Sequence, residues 1–510
     1  MKPAEHARDA SERSEREPAP PQGHEARAAY AATDLAEPGA LEPAAAALLP
    51  WVLRHGHDAV AFQGLEPGLR AWLDVGPGAR ARAAVAYADT GAAWIGAGGP
   101  HAPIGERADV AGRFAAAARA AGRRASFFCV DDDPRWPGFT RVLLGEQPVW
   151  EPASWPAVVR AHRRLREQLR RAKAKGVRVR RVGADELREG APLRVAVEEL
   201  SAAWLSSRAM EPMGFLVTLA PFVAAAEHRY FVAERGGQAV AFLSLVPVPA
   251  RDGWLFEDLL RHGAPNGTSE LLIDAAMREL IVDGARYATT GLAPLTGGVP
   301  RWMRAIGVVS RPLYDFRGLR AFKQRLHPTR WERVWMCSPQ GESAAWHVLQ
   351  ALRAFAPGGM IGFALRTTVR HPGVLAWMLG VPLVPWTALL GALAVTGHAG
   401  RLGFSALALA VWVVFDGILA LGLWRASRQP TPRLLSLLAA AATLDASLSV
   451  HHLLSAGVGA GWELALRALA VAAPLLGAPA LWWAAHRART LARRARGAPP
   501  AACSTTPPGV

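Results

Sequence analysis

Cysteine is scarce in this sequence: Cys129, Cys337 and Cys503 are the only three. None stands in a Cys-x-x-Cys pair, and no histidine cluster lies nearby. That excludes a disulfide scaffold and a structural zinc site, and it suits the cytosol. The first 45 residues lack an apolar segment and are rich in Ala, Glu, Arg and Pro. They read as a disordered leader with no signal peptide. Charge is nearly missing from residues 374–486, which are heavily apolar. A water-exposed domain is excluded there.

The chain is 510 residues long, enough for three domains of roughly 150 residues. Lys and Arg outnumber Asp and Glu by 58 to 42, a net charge of +16. Such an excess suits nucleic acid or an anionic membrane as partner. Residues 160–181, RAHRRLREQLRRAKAKGVRVRR, concentrate it in eleven basic residues against the single acid Glu167. Val158, Leu165, Leu169 and Ala172 form a narrow apolar stripe, so the helix packs while showing a basic surface. Arg163, Arg164, Arg170 and Arg171 are its candidate contacts for phosphates, whether of RNA or of lipid heads.

Four apolar segments, near 374–396, 402–424, 433–455 and 462–485, are long enough to cross a bilayer. Trp377, Trp424, Trp482 and Trp483 stand near segment ends, as interfacial aromatics do. Arg366 and Arg370 precede the first span. Arg425, Arg428 and Arg433 join the second to the third, and Arg487, Arg489, Arg493, Arg494 and Arg496 follow the fourth. The positive-inside rule then puts both termini and the soluble region in the cytoplasm, making a multi-pass membrane protein. Asp416, Asp445, His451 and His452 fall inside the spans and are functional candidates, for instance as lining of a polar cavity for a lipid head group. Before the spans, SAAWHVLQALRAF (343–355) places Trp346, Leu349, Leu352 and Phe355 on one helical face. That face lies on the membrane or closes the soluble core.

Residues 46–338 read as α/β. A strand pair covers DAVAFQGL through RAAVAYADTGAAWIGAGGP. The helix ERADVAGRFAAAARAAG and the strand RASFFCV come next. After the basic helix come the strand VRVRRV, helices near 192–207 and 214–227, and a hairpin turning at Gly236 and Gly237. Then WLFEDLL reads as a strand, 268–282 as a helix closed by Gly284, and ARYATTGLA as a strand. This order resembles tandem Gcn5-related N-acetyltransferase units. The division it implies is a first unit over 46–150, a second unit with the active site over 151–338, an amphipathic linker over 339–372, four spans over 373–486 and a basic cytoplasmic tail over 487–510. Acetyl-CoA enzymes of that fold carry a Gln/Arg-x-x-Gly-x-Gly/Ala loop for the pyrophosphate. Here the place holds RHGAPNGT (261–268), so no acetyl-CoA donor is expected, although the helix start still favours an anion near Asn266, Gly267 and Thr268.

A more specific likeness runs in one order through RHGHDAVAFQGL (54–65), AVAYADTGAAWIGAGGPHAP (84–103), LLGEQPV (143–149), LREQLRRAKAKGVRV (165–179), YFVAERGGQAVAFLSLVP (230–247), LFEDLLRHGAPNGTSELLI (255–273), TGLAPL (290–295) and FRGLRAFKQRLHPTRWERVW (316–335). Over about residues 48–338 the chain resembles the catalytic domain of the multiple peptide resistance factor family, the aminoacyl-phosphatidylglycerol synthases or phosphatidylglycerol lysyltransferases. The resemblance implies transfer of a lysyl or other aminoacyl group from aminoacyl-tRNA to a hydroxyl of phosphatidylglycerol, which makes the membrane less negative. It implies aminoacyl-tRNA as co-substrate and no cofactor. The family's Asp-Leu-x-Arg element maps onto Asp258 and Arg261, and its late lysine onto Lys323. The family's large N-terminal flippase domain is not seen, and four spans follow the catalytic region instead.

An aminoacyl ester is already activated, and attack by a hydroxyl passes through a tetrahedral oxyanion that a positioned cation stabilises. The resemblance offers Arg261 and Lys323 for that charge or for the lipid phosphate, and Asp258 for orienting Arg261, holding the donor ammonium or taking the attacking proton. Residues three apart on a strand face opposite ways, so Arg261 converges with Asp258 only if it lies past the strand. No triad spacing or nucleophile elbow appears, which favours direct transfer without a covalent enzyme intermediate. Two alternatives stay open: transfer to a peptidoglycan precursor or protein amine, and a non-catalytic module that binds anionic lipid or RNA. Neither the amino acid nor the oligomeric state is legible.

Overall fold

Strands of two to twelve residues join in one continuous sheet. The structure is a computed structural model and describes residues 41–76, 80–131, 134–208, 212–309, 314–356, 358–398, 405–455 and 462–497. Most of the expected leader, 1–40, and the end of the basic tail, 498–510, lie outside the described residues.

The first helix, α1 (Pro43–His55), starts inside the expected leader because Leu48 and Val52 are fully buried in the core. DAVAFQGL is not a strand but a turn leading into a 3-10 helix over Phe62–Leu65. There follow β1 (Arg70–Val75), β2 (Ala81–Asp89), β3 (Ala93–Ala97), α2 (Arg107–Ala120), β4 (Arg124–Val130) and β5 (Phe139–Trp150). Next come α3 (Trp155–Ala161), the basic helix α4 (Arg163–Ala174), β6 (Arg178–Val182) and α5 (Pro192–Ser206). The helix expected over 214–227 is instead a chain of turns ending in a short 3-10 helix, Ala225–Glu227. Phe215 and Leu216 are buried from this irregular segment, so apolar content without helical hydrogen bonding misled the pattern.

Then follow β7 (Arg229–Arg235), β8 (Gln238–Val248), β9 (Gly253–Arg261), α6 (Thr268–Val282), β10 (Tyr287–Thr289), β11 (Ala293–Pro294), α7 (Arg301–Val309), α8 (Phe316–Gln324) and β12 (Arg330–Pro339). Three antiparallel strands, a helix and a parallel strand occur twice, as β1-β2-β3-α2-β4 and as β7-β8-β9-α6-β10. These are the two acetyltransferase-like units. They are not separable at residue 150, because their closing strands are exchanged. β5 follows β4 in sequence but pairs with β10, while β12 follows the second unit and pairs with β4; β5 and β12 pair with each other. The sheet order is thus β1-β2-β3-β4-β12-β5-β10-β9-β8-β7-β6.

In α9 (Ala344–Ala354), Val348 and Ala351 pack on the first unit's core, and beyond its end Phe355 contacts Phe128 and Phe215. Leu349 and Leu352 point outward, so the expected single apolar face is divided between core and surface. After α10 (Met360–Arg370) come α11 (Pro372–Val395), α12 (Ala406–Arg428), α13 (Pro432–Ser455) and α14 (Trp462–Gly497). All four are long and apolar enough to cross a membrane. Asp416 and Asp445 are buried in this bundle, whereas His451 is exposed.

Candidate active site

β9 and β10 run side by side for three rungs only, Gly253–Tyr287, Trp254–Ala288 and Leu255–Thr289. Beyond the last rung they part. The chain after β10 turns through Gly291, whose φ of +71° strains any side-chain-bearing residue, and β11 joins β5. β9 continues beside β8 as far as Arg261. The parting strands leave an opening between the two.

The β9 wall of this opening is irregular. Leu243 pairs with Leu259 and Leu245 with Phe256, so Glu257 and Asp258 together oppose Ser244. Such a bulge breaks the alternation and turns successive side chains to one face. That face is shared with Tyr230, Phe242 and Leu260, which pack in one cluster, while Phe256 and Leu259 pack on the other. Ser244 Oγ donates to Asp258 Oδ2 at 3.0 Å and accepts from the Asp258 backbone N–H at 3.1 Å.

Two groups from distant sequence join the bulge. Glu66, just past the first 3-10 helix, is buried, with Oε2 accepting from the Thr218 N–H at 3.2 Å and Oε1 unpartnered. His228 Nε2 lies 3.5 Å from Glu257 Oε2, its ring stacked on Tyr230 and edge-on to Phe62. Burial, and then the charge of Glu257, push the Glu66 and Asp258 carboxyls well above the usual carboxylate range. Among the described residues, no Lys or Arg forms an ion pair with Glu66, Glu257 or Asp258. Nor do three acidic, histidine or cysteine groups come close enough to hold one metal ion. The cluster is thus rich in carboxyls and short of cations.

Lys323 forms the facing wall. It is buried in α8, and its Nζ donates to the carbonyls of Thr290 at 2.8 Å, Gly291 at 2.7 Å and Leu292 at 2.9 Å. An ammonium has three hydrogens, so all of them are committed to the turn at which β10 leaves β9. Lys323 therefore shapes the opening from behind instead of pointing a free N–H into it.

Arg261 is the last residue of β9, exposed, and forms no ion pair with Asp258. It does not lie past the strand, and with the bulge counted it faces the opposite side from Asp258. At the expected anion site Asn266 is exposed, whereas Gly267 and Thr268 are buried. Gly267 begins α6 with φ +94°, and a Cβ there would meet the Gln168 carbonyl at 2.2 Å. The basic helix thus packs over this helix start, and Thr268 is fully buried with its hydroxyl donating to the Pro265 carbonyl. On α4 itself Leu165, Leu169 and Ala172 are buried, as the stripe requires. Arg163 and Arg164 are exposed, while Arg170 and Arg171 both pair with Glu167.

Glu66, His228, Ser244 and Glu257 escaped the sequence reading. Glu257 adjoins Asp258, but strict alternation would send it to the other face; only the bulge brings it round. Glu66 and His228 carry no local signal: Glu66 is joined to the site by the docking of the first unit, and His228 stands just before β7, on the far side of β8 from the bulge.

A search of curated proteins returns no match. Among solved structures, the C-terminal domain of a putative lysylphosphatidylglycerol synthetase from Agrobacterium fabrum aligns with TM-score 0.53 and 21% identity, covering 62% of this chain and 98% of that one. L-PGS from Bacillus licheniformis aligns with TM-score 0.53 and 17% identity, covering 63% and 99%. At these identities the likeness is one of fold. The sequence model described as phosphatidylglycerol lysyltransferase, C-terminal, matches residues 77–338, just over half the chain and spanning both units of the sheet. By that match the chain belongs to the phosphatidylglycerol lysyltransferase C-terminal family.

Proposed function

We propose that this protein transfers an aminoacyl group, lysyl or another, from aminoacyl-tRNA to a hydroxyl of phosphatidylglycerol. The observation that carries the reading is the cation-poor carboxyl cluster of Glu66, Glu257 and Asp258 at the bulge. An aminoacyl ester brings an α-ammonium, and a lysyl ester a second cation. Either group neutralises the cluster on binding and holds the ester carbonyl in the opening between β9 and β10.

Asp258 takes the proton of the lipid hydroxyl as its oxygen attacks the ester carbonyl. The new C–O bond forms, the bond to the tRNA ribose breaks, and the proton passes to the departing ribose oxygen. Ser244 holds Asp258 in position, and Lys323 fixes the opposite wall. No covalent enzyme intermediate and no cofactor are needed. The exposed arginines of α4 supply the phosphate-binding surface for tRNA. The product head group carries added positive charge, which makes the membrane less negative.

The four apolar helices put the enzyme in the membrane that holds its acceptor. Arg428, Arg433 and Arg489 gather at the end of the bundle beside the catalytic region, which fits a cytoplasmic catalytic domain in the bacterial inner membrane. Expression in a host free of aminoacyl lipids, followed by mass spectrometry of extracted lipids, tests the reading. A head-group mass raised by one aminoacyl residue supports it and names the amino acid. Unchanged lipids with folded protein and charged tRNA present overturn it.

A further inference from the structure

The second span ends against the catalytic region. Where α12 meets the end of α7 and the start of α8 there is a crevice walled by Val308, Phe316 and Trp424 and bearing the guanidinium groups of Arg317 and Arg428. The one acid in it, Asp315, is already engaged: its Oδ1 accepts from the Gly318 N–H at 3.0 Å, capping α8. Among the described residues no carboxylate pairs with Arg317 or Arg428. Arg428 stands over the Trp424 ring, 4.3 Å from its centroid, which limits its freedom without neutralising it.

The depth of the crevice follows from its neighbours. Trp424 and Arg428 close a helix long and apolar enough to span a bilayer, and Arg433 and Arg489 stand at the same end of the bundle. Aromatic and basic residues at a span's end mark the head-group layer. Val308, on the α7 wall of the crevice, is itself exposed. Two unpaired guanidinium groups among apolar walls, at head-group depth, match a phosphodiester whose acyl chains continue into the membrane.

We infer that this crevice is the entry site for an anionic phospholipid, with its phosphate held between Arg317 of the catalytic region and Arg428 of the second span. The membrane domain then does more than tether: it supplies half of the acceptor's first binding site. From the crevice α8 leads to Lys323, seven residues and roughly 10 Å along the helix axis, so a lipid captured here arrives beside the opening between β9 and β10. The purpose of the site rests on the proposed transferase reading, whereas its chemistry does not.

The test uses the full chain in phosphatidylcholine vesicles with an increasing fraction of spin-labelled phosphatidylglycerol, read as bound lipid and, with charged tRNA, as aminoacyl-lipid formation. Arg317→Ala and Arg428→Ala are expected to raise the half-saturating phosphatidylglycerol fraction about tenfold, the loss of one charge-assisted phosphate contact. The rate at saturating lipid should stay near wild type, and Arg428→Lys should recover part of the affinity. Arg433→Ala, at the same membrane depth outside the crevice, should titrate as wild type. Unchanged titrations for both crevice variants overturn the inference, as does an equal shift in Arg433→Ala, which would mark general attraction to the anionic surface. If the wild type binds phosphatidylglycerol through these arginines yet forms no aminoacyl lipid, the transferase reading fails and the site stands.

Discussion

Asp258 and Ser244 hold each other across the bulge in β9, with the hydroxyl donating to the carboxyl oxygen and accepting the Asp258 backbone N–H. The pair fixes one of the two carboxyls that the bulge turns to the same face of the strand. Asp258→Ala is expected to lower kcat for aminoacyl-lipid formation by about 10²–10⁴-fold, the range for a general base. Ser244→Ala leaves that carboxyl and its N–H without their partner and should cost about 1–3 kcal/mol of stability. Because Asp258 is still present, Ser244→Ala should retain measurable turnover. Single-turnover rates and urea titrations of the two variants check both statements; equal loss of turnover would remove the distinction.

Glu66 gives the site a pH signature. Burial, and then Glu257, raise its folded pKa well above the ordinary glutamate value. The neutral form is thus favoured in the fold, and its stabilising effect is complete below the unfolded pKa and is lost as pH rises toward the folded one. Wild-type melting temperature should therefore carry a downward contribution from this group as pH increases above about 4.5. Glu66→Gln, which keeps the shape without the charge, should flatten that slope and raise stability at neutral pH. The same variant should raise KM for the aminoacyl donor. Melting curves across pH and donor titrations decide; a steeper slope in the variant would contradict the assignment.

How much of this was legible in sequence depends on which interactions are local. α6 and its Gly284 cap, the Gly236–Gly237 hairpin and the four apolar helices follow from periodicity and turn chemistry over a few residues. The exchange of β5 and β12 does not, since pairing partners 189 residues apart, as with Gly145 and Val334 near the middle of the ladder, leave no mark on either strand. The same holds within the site. Asp258 and Lys323 stood out through family likeness, but the use of every Lys323 hydrogen on carbonyls is a tertiary fact. A one-residue bulge was enough to bring in Glu257, while the regular alternation beyond it keeps Arg261 on the other side from Asp258.

Lys323 titrates in the opposite sense to Glu66. Burial pulls its ammonium down to about 7. Between that value and the unfolded pKa near 10.4 the unfolded chain binds the extra proton, so this group's contribution to stability rises with pH across that window. Lys323→Met removes the rise and also the donors to three carbonyls, at a cost of about 2–4 kcal/mol near neutral pH. The difference in melting temperature between wild type and variant should widen as pH climbs from about 7 to 10. Activity should fall through kcat, because the turn at Thr290–Leu292 loosens while the carboxyl cluster that holds the donor remains. A variant that lost only donor affinity would place Lys323 in contact with substrate instead.

The arginines of α4 divide into two kinds. Arg170 and Arg171 share Glu167, an i,i+3 and an i,i+4 pair on an exposed surface, so part of their charge is already met within the helix. Arg163 and Arg164 are exposed and, among the described residues, form no ion pair with a carboxylate. A phosphate backbone laid across α4 therefore gains more from the first turn than from the last. Arg163→Ala with Arg164→Ala should weaken tRNA binding more than Arg170→Ala with Arg171→Ala. Each lost phosphate contact should reduce the slope of log K against log salt by about 0.7–0.9. Filter binding of tRNA across a salt series measures both quantities. Equal effects of the two double variants would show that tRNA reads the net charge of the helix, with Glu167 displaced on binding.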